Sequence, residues 1–313
     1  MDLLQVEAIL ENAAVNNEEV VNLSHRKITM FTSNFEKLEK VKKLMLNDNE
    51  LLMPPSELVQ LVWLEELVLD NNRLTMLPTG IGQLKSLHYL SVSHNPIGVL
   101  TPEVGQLEAL TQLWLVECQL ESLPPEIGKL RLLQKFSIRG NSILNLPTEV
   151  CNLESLKWMC LAENNLSDLP IEIELLHQLT YLNLNSNQFS KVPECVTALQ
   201  GLTSLHMRRN NIVQVTDDIV LALSKLVKFD LRDNDVIEKP EHWKGLEYII
   251  VGKTGLTDSP ISQELITDSY SSVDEDSEED SHGSEADSCE EDGNENKENN
   301  SDEKNCDTNT VEG

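Results

Sequence analysis

Leu87-His88-Tyr89-Leu90-Ser91-Val92-Ser93-His94-Asn95-Pro96-Ile97 sets aliphatic residues at 87, 90, 92 and 97 around an asparagine at 95. The alternation Leu90-x-Val92 is that of a short strand with one buried face, its intervening residues pointing outward. An asparagine in an apolar series needs a reason, and its amide can pair with backbone groups that a bend leaves unpaired. The same spacing returns from Val41 to Leu51, Leu64 to Leu74, Leu133 to Ile143, Leu156 to Leu166, Leu179 to Phe189 and Leu202 to Ile212.

The polar slot falls at 49, 72, 95, 118, 141, 164, 187 and 210, a constant step of 23, and Asn234 follows after 24. Cysteine replaces asparagine at Cys118, and Arg26 and Thr254 hold the slot in degenerate end repeats, giving ten or eleven turns. Six residues after the slot stands proline, at Pro55, Pro78, Pro124, Pro147, Pro170 and Pro193, with Thr101 and Thr216 as exceptions. Proline cannot donate a ladder hydrogen bond, so it marks where each strand has ended. Each turn is therefore one strand and one return arm. A single turn cannot bury its leucines, so neighbours stack and share a continuous core.

These motifs, from about Glu18 to Leu256, resemble the leucine-rich-repeat superfamily, specifically the 23-residue LPxxIxxL type of Erbin, Scribble, the related Ras-binding scaffold and the plant intracellular Ras-group proteins. The resemblance implies an α/β repeat solenoid, a horseshoe with a parallel concave sheet. It also implies a protein-binding scaffold in signalling, with a small GTPase or a phosphatase subunit as partner. The expected organisation is a capping helix over 1–17, the solenoid over 18–257 and a disordered acidic tail over 258–313. Asp2 can cap the helix, with Leu3, Val6, Ile9, Leu10 and Ala13 at helical spacing.

The outward strand positions line the concave face. They place Trp114 and Trp158 at its middle, flanked by Tyr89 and Tyr181, with Arg139 between. Tryptophan, tyrosine and arginine dominate interface energetics, at about 2 kcal/mol or more each in a hot spot. Tyr89, Trp114, Arg139, Trp158 and Tyr181 thus form the expected protein-binding patch, with His206, Arg208 and Arg209 as a basic extension.

The formal net charge is −29, with 53 acidic and 24 basic residues. Asp268 to Gly313 alone hold 18 acids and two lysines. An acidic balance disfavours nucleic acid and anionic membrane as partners. So polar a tail cannot offset its chain entropy by burial. Ser271, Ser272, Ser277, Ser284 and Ser288 each precede an acid by three places, the pattern of acidophilic kinases, and Lys297-Glu298-Asn299 matches a KEN degron. Repeats followed by acid also resemble the acidic leucine-rich nuclear phosphoproteins, though with a longer solenoid and a sparser tail. The alternative function is accordingly a nuclear chaperone that binds histones or other basic proteins through the tail.

The opening residues show no basic segment followed by a long apolar run, so no secretory leader is expected, and no stretch of about 18 apolar residues occurs in the sequence. The six cysteines lack paired spacing, and the seven histidines lack metal-ligand spacing. No phosphate loop, GxSxG or HExxH is found. The expectation is a non-catalytic, cofactor-free monomer with free thiols, cytoplasmic or nuclear.

Overall fold

The computed structural model describes residues 3–31, 35–236 and 238–254. The expected tail, its serines Ser271, Ser272, Ser277, Ser284 and Ser288, the Lys297-Glu298-Asn299 match, Cys289, Cys306 and the Asp2 cap lie outside them.

One parallel sheet of eleven strands runs in sequence order. Its members are β1 (Val20–Asn22), β2 (Lys43–Met45), β3 (Glu66–Val68), β4 (Tyr89–Ser91), β5 (Gln112–Trp114), β6 (Lys135–Ser137), β7 (Trp158–Cys160), β8 (Tyr181–Asn183), β9 (Ser204–His206), β10 (Lys228–Asp230) and β11 (Ile249–Ile250). The register follows the sequence period. Glu66 pairs with Tyr89, Tyr89 with Gln112, Gln112 with Lys135 and Lys135 with Trp158. Every side chain of one column therefore stacks on its counterpart in the next turn. The central residue of each strand, among them Leu67, Leu90, Leu113, Phe136, Met159, Leu182, Leu205 and Phe229, is fully buried.

The return arms are short 3-10 turns such as Pro102–Gln106, Pro125–Lys129 and Thr148–Asn152. Where the repeat lengthens to 24, with Ser204 opposite Lys228, the arm becomes an α-helix, α2 (Asp217–Ala222). The first helix, α1 (Leu3–Asn16), buries Val6, Leu10 and Ala13 in the same core as the leucines. Without it the leucines of the first turn would face water on one side, and burying such a side chain is worth about 2 kcal/mol.

Each asparagine of the polar column is buried and bonds to two turns at once. Asn141 donates Nδ2–H to the carbonyls of Leu115 and Ile138, both at 2.8 Å. Its Oδ1 accepts the N–H groups of Cys118 at 3.0 Å and Leu120 at 2.9 Å. The residue before each of these asparagines is left-handed, with φ of 52–57° at Asp48, Asn71, His94, Glu163, Ser186, Arg209 and Asp233. Backbone of that kind is costly outside glycine, and the ladder of amides on either side holds it in place.

Candidate protein-binding face

Trp114 and Trp158 project from the same face of the sheet but from strands that are not neighbours. In register Trp114 sits opposite Ser137, and Trp158 opposite Lys135 and Tyr181. Ser137 is too small to hold the indoles apart. Trp114 leans across β6 until its ring centroid lies 5.4 Å from that of Trp158. Trp158 is stacked on Tyr181, again at 5.4 Å and with only 8° between the ring planes. Tyr181 meets His206 at 5.0 Å across the small Ser204. Four aromatic rings from β5, β7, β8 and β9 thus make one continuous row, with contacts in the range where aromatic pairs attract.

The row is half-buried rather than fully open, because each ring covers part of the next. Burial, followed by the neighbouring Cys160, pushes the Tyr181 hydroxyl pKa upward. Burial, followed by Lys228, lowers the pKa of His206 to about 4, so its imidazole is neutral at pH 7. Two polar atoms on β5, Trp114 Nε1 within the row and Gln112 Oε1, are buried without a hydrogen-bond partner. Such atoms carry a desolvation cost of about 1–3 kcal/mol each.

The other expected site residues are placed differently. Arg139 bonds the Glu163 carboxylate at 2.7 Å beside the row. Tyr89 lies on β4, in register with Gln112 rather than with either tryptophan. Arg208 and Arg209 converge on Asp233, at 3.6 Å and 3.7 Å. Partial burial opposes ionisation of Asp233, but hydrogen bonds from Thr254 and these two arginines hold its pKa below the usual carboxylate value. The basic extension is therefore partly neutralised within the chain itself, and His206 adds no charge to it.

Sequence reading missed Trp63, which is 67% exposed and is the most open tryptophan, next to Val62 at 46%. The signal was present: other turns carry Lys85-Ser86, Glu108-Ala109 and Glu154-Ser155 at those places. Trp243 is the opposite case, 2% exposed with Nε1–H donating to Asp217 at 2.9 Å. Cys118, Cys151, Cys160 and Cys195 are free thiols. Among the described residues no cluster of His, Cys, Asp and Glu could hold a metal, and no helix is long and apolar enough to cross a membrane.

Comparison with known proteins agrees with this architecture. The family model for leucine rich repeats matches residues 63–120 and 131–189. A leucine-rich-repeat protein of Leptospira interrogans is 31% identical, over 77% of this chain and 68% of its own, with a TM-score of 0.67. The plant peptide hormone receptor RGFR1, solved in complex with RGF2, is 26% identical over 68% of this chain and 39% of its own, with a TM-score of 0.53. The functional domain of InlJ from Listeria monocytogenes, at 23% identity over 75% of this chain and 53% of its own, has a TM-score of 0.55 and shares the fold. A search of curated protein sequences gave no match. With its repeated strands, its amide ladder and this likeness, the chain belongs to the leucine-rich-repeat family.

Proposed function

We propose that the concave face holds a protein partner and that the chain works as a non-catalytic adaptor in intracellular signalling. The observation that carries the reading is the aromatic row Trp114–Trp158–Tyr181–His206. Rigid rings offer large contact area at a small entropy cost, and their clustering matches the make-up of interface hot spots. RGFR1, a neighbour above, was solved with RGF2 bound, so a fold of this kind accommodates a partner. The resemblance to Scribble-type repeats makes a small GTPase or a phosphatase subunit the class of partner to look for first.

The test is affinity capture from cell extract with mass spectrometry, comparing the full chain with a Trp114→Ala, Trp158→Ala double variant. The adaptor reading expects a defined partner set that the variant loses while its circular dichroism melt stays cooperative. An identical partner set for both proteins would remove the aromatic row from the account.

A further inference from the structure

The concave face is not evenly charged along its length. Its C-terminal part carries Arg208, Arg209, Lys228 and Arg232 against Asp230 and Asp233, in a chain of formal net charge −29. Arg232 and Asp230 are spent on each other. Arg232 Nε and Nη2 bond the two Asp230 oxygens at 3.0 Å and 2.8 Å, and the residues are 3% and 1% exposed. Arg208 and Arg209 must share the single Asp233 carboxylate. Arg208 Nε is buried without a hydrogen-bond partner. Lys228 makes no salt bridge among the described residues. Burial lowers its ammonium pKa, and Arg232 and Arg208 act in the same direction against Asp230.

The result is a surplus of cations beside the aromatic row, with Arg208 and Lys228 half-buried and Arg209 exposed. At Lys228, attraction to an anion is less screened than on open surface. At the other end of the face stand Asp48, Glu66 and Asp70 against Lys43, which pairs with Glu66 at 2.9 Å and leaves two carboxylates in excess. Carboxylates attracted to one end are repelled from the other, so a charged ligand has one preferred orientation.

Resting on the reading of the aromatic row as the partner site, we propose that the partner enters as an extended segment with two chemical features. A large aromatic or aliphatic side chain sits on Trp114, Trp158 and Tyr181, and an Asp or Glu pair reaches Arg209 and Lys228. Trp158 on β7 and Lys228 on β10 are three strands apart. That is about 14 Å at about 4.8 Å per strand, which about four extended residues span.

A random peptide library panned on the full chain tests this, with enriched peptides titrated by fluorescence polarisation. The expected peptides share an apolar anchor and acids about four or five residues away. They bind an Arg209→Glu, Lys228→Glu variant at least about tenfold more weakly. Circular dichroism melts confirm that each variant is folded. If the Trp114→Ala, Trp158→Ala variant loses binding and the charge-reversed one does not, the aromatic site stands and the acidic requirement is wrong. If neither variant changes binding, the aromatic-face reading itself fails. Enrichment without acids, no enrichment, or a phosphoserine replacement that binds about tenfold tighter than the acid each overturns the proposal as well.

Discussion

Asn141 fastens the backbone of Cys118 from the next turn, its Oδ1 accepting the Cys118 N–H at 3.0 Å. The two residues occupy the same slot in consecutive turns, yet they do unequal work. Asn141 satisfies two buried carbonyls and two buried amides. Cys118 contributes only weak Sγ contacts, to the carbonyls of Val92 at 3.4 Å and Val116 at 3.5 Å. The amide of Ile97, which has no side-chain oxygen to meet at 118, turns onto the Asn95 carbonyl at 2.8 Å, and Gly98 bonds the Cys118 carbonyl at 2.9 Å. Asn141→Ala should therefore cost about 3 kcal/mol or more, since several buried groups lose partners at once. Cys118→Ala should cost about 1 kcal/mol. Urea denaturation of the two variants measures the difference, and equal midpoints would deny the amide column its structural role.

The stacking of the arms sets a second test. A Cβ on Gly128 would stand 2.2 Å from the carbonyl oxygen of Glu149, in the backbone of the next turn. A Cβ on Gly98 would meet nothing within 4 Å, although that residue has φ of +70°. Gly128→Ala should destabilise by about 1–3 kcal/mol through overpacking against backbone that cannot swing aside. Gly98→Ala should cost only the left-handed conformation, about 1 kcal/mol. Thermal melts of the pair give the order directly; the reverse order would mean that the arms are not in close contact.

Sequence alone carried the solenoid, the capping helix and the identity of the concave columns, because a 23-residue period fixes which residues stack. Three features were hidden. The left-handed residues before the asparagines include Glu163, Ser186 and Arg209, types that give no hint of the bend they make. The sequence groups the aromatic residues into one patch but does not show that their rings touch. The continuity of the row depends on small neighbours, Ser137 and Ser204, that let rings two strands apart or on a diagonal touch. The basic extension looked open because Asp233 belongs to the turn after Arg208 and Arg209, and only the register shows the three converging.

Thiol chemistry gives a third expectation. Burial pushes the pKa of Cys118 and of Cys151 up to about 12, and that of Cys195 up to about 11. The thiolate is the reactive form, so these groups are poor nucleophiles at neutral pH. Cys118 is fully buried and Cys195 only partly so. Brief alkylation of the native chain followed by peptide mass spectrometry should label Cys195 ahead of Cys118. Labelling Cys118 first would contradict its place inside the core.

His206 makes stability depend on pH in a stated direction. Burial and then Lys228 lower its folded pKa to about 4 from 6.5, and Arg208 and Arg232 add to this while Asp230 opposes it. Tyr181 packs against the ring from the neighbouring strand. Between these two values the unfolded chain binds a proton that the folded chain refuses. The stability tied to a neutral His206 is thus present above pH 6.5 and is lost as pH falls toward 4. Carboxylates titrate in the lower part of that window too, so the informative quantity is the difference between the wild type and His206→Asn. The wild type should lose up to about 2 kcal/mol relative to the variant between about pH 7 and pH 5. A difference that does not change with pH would mean that the imidazole is solvated and that the end of the aromatic row is open to water.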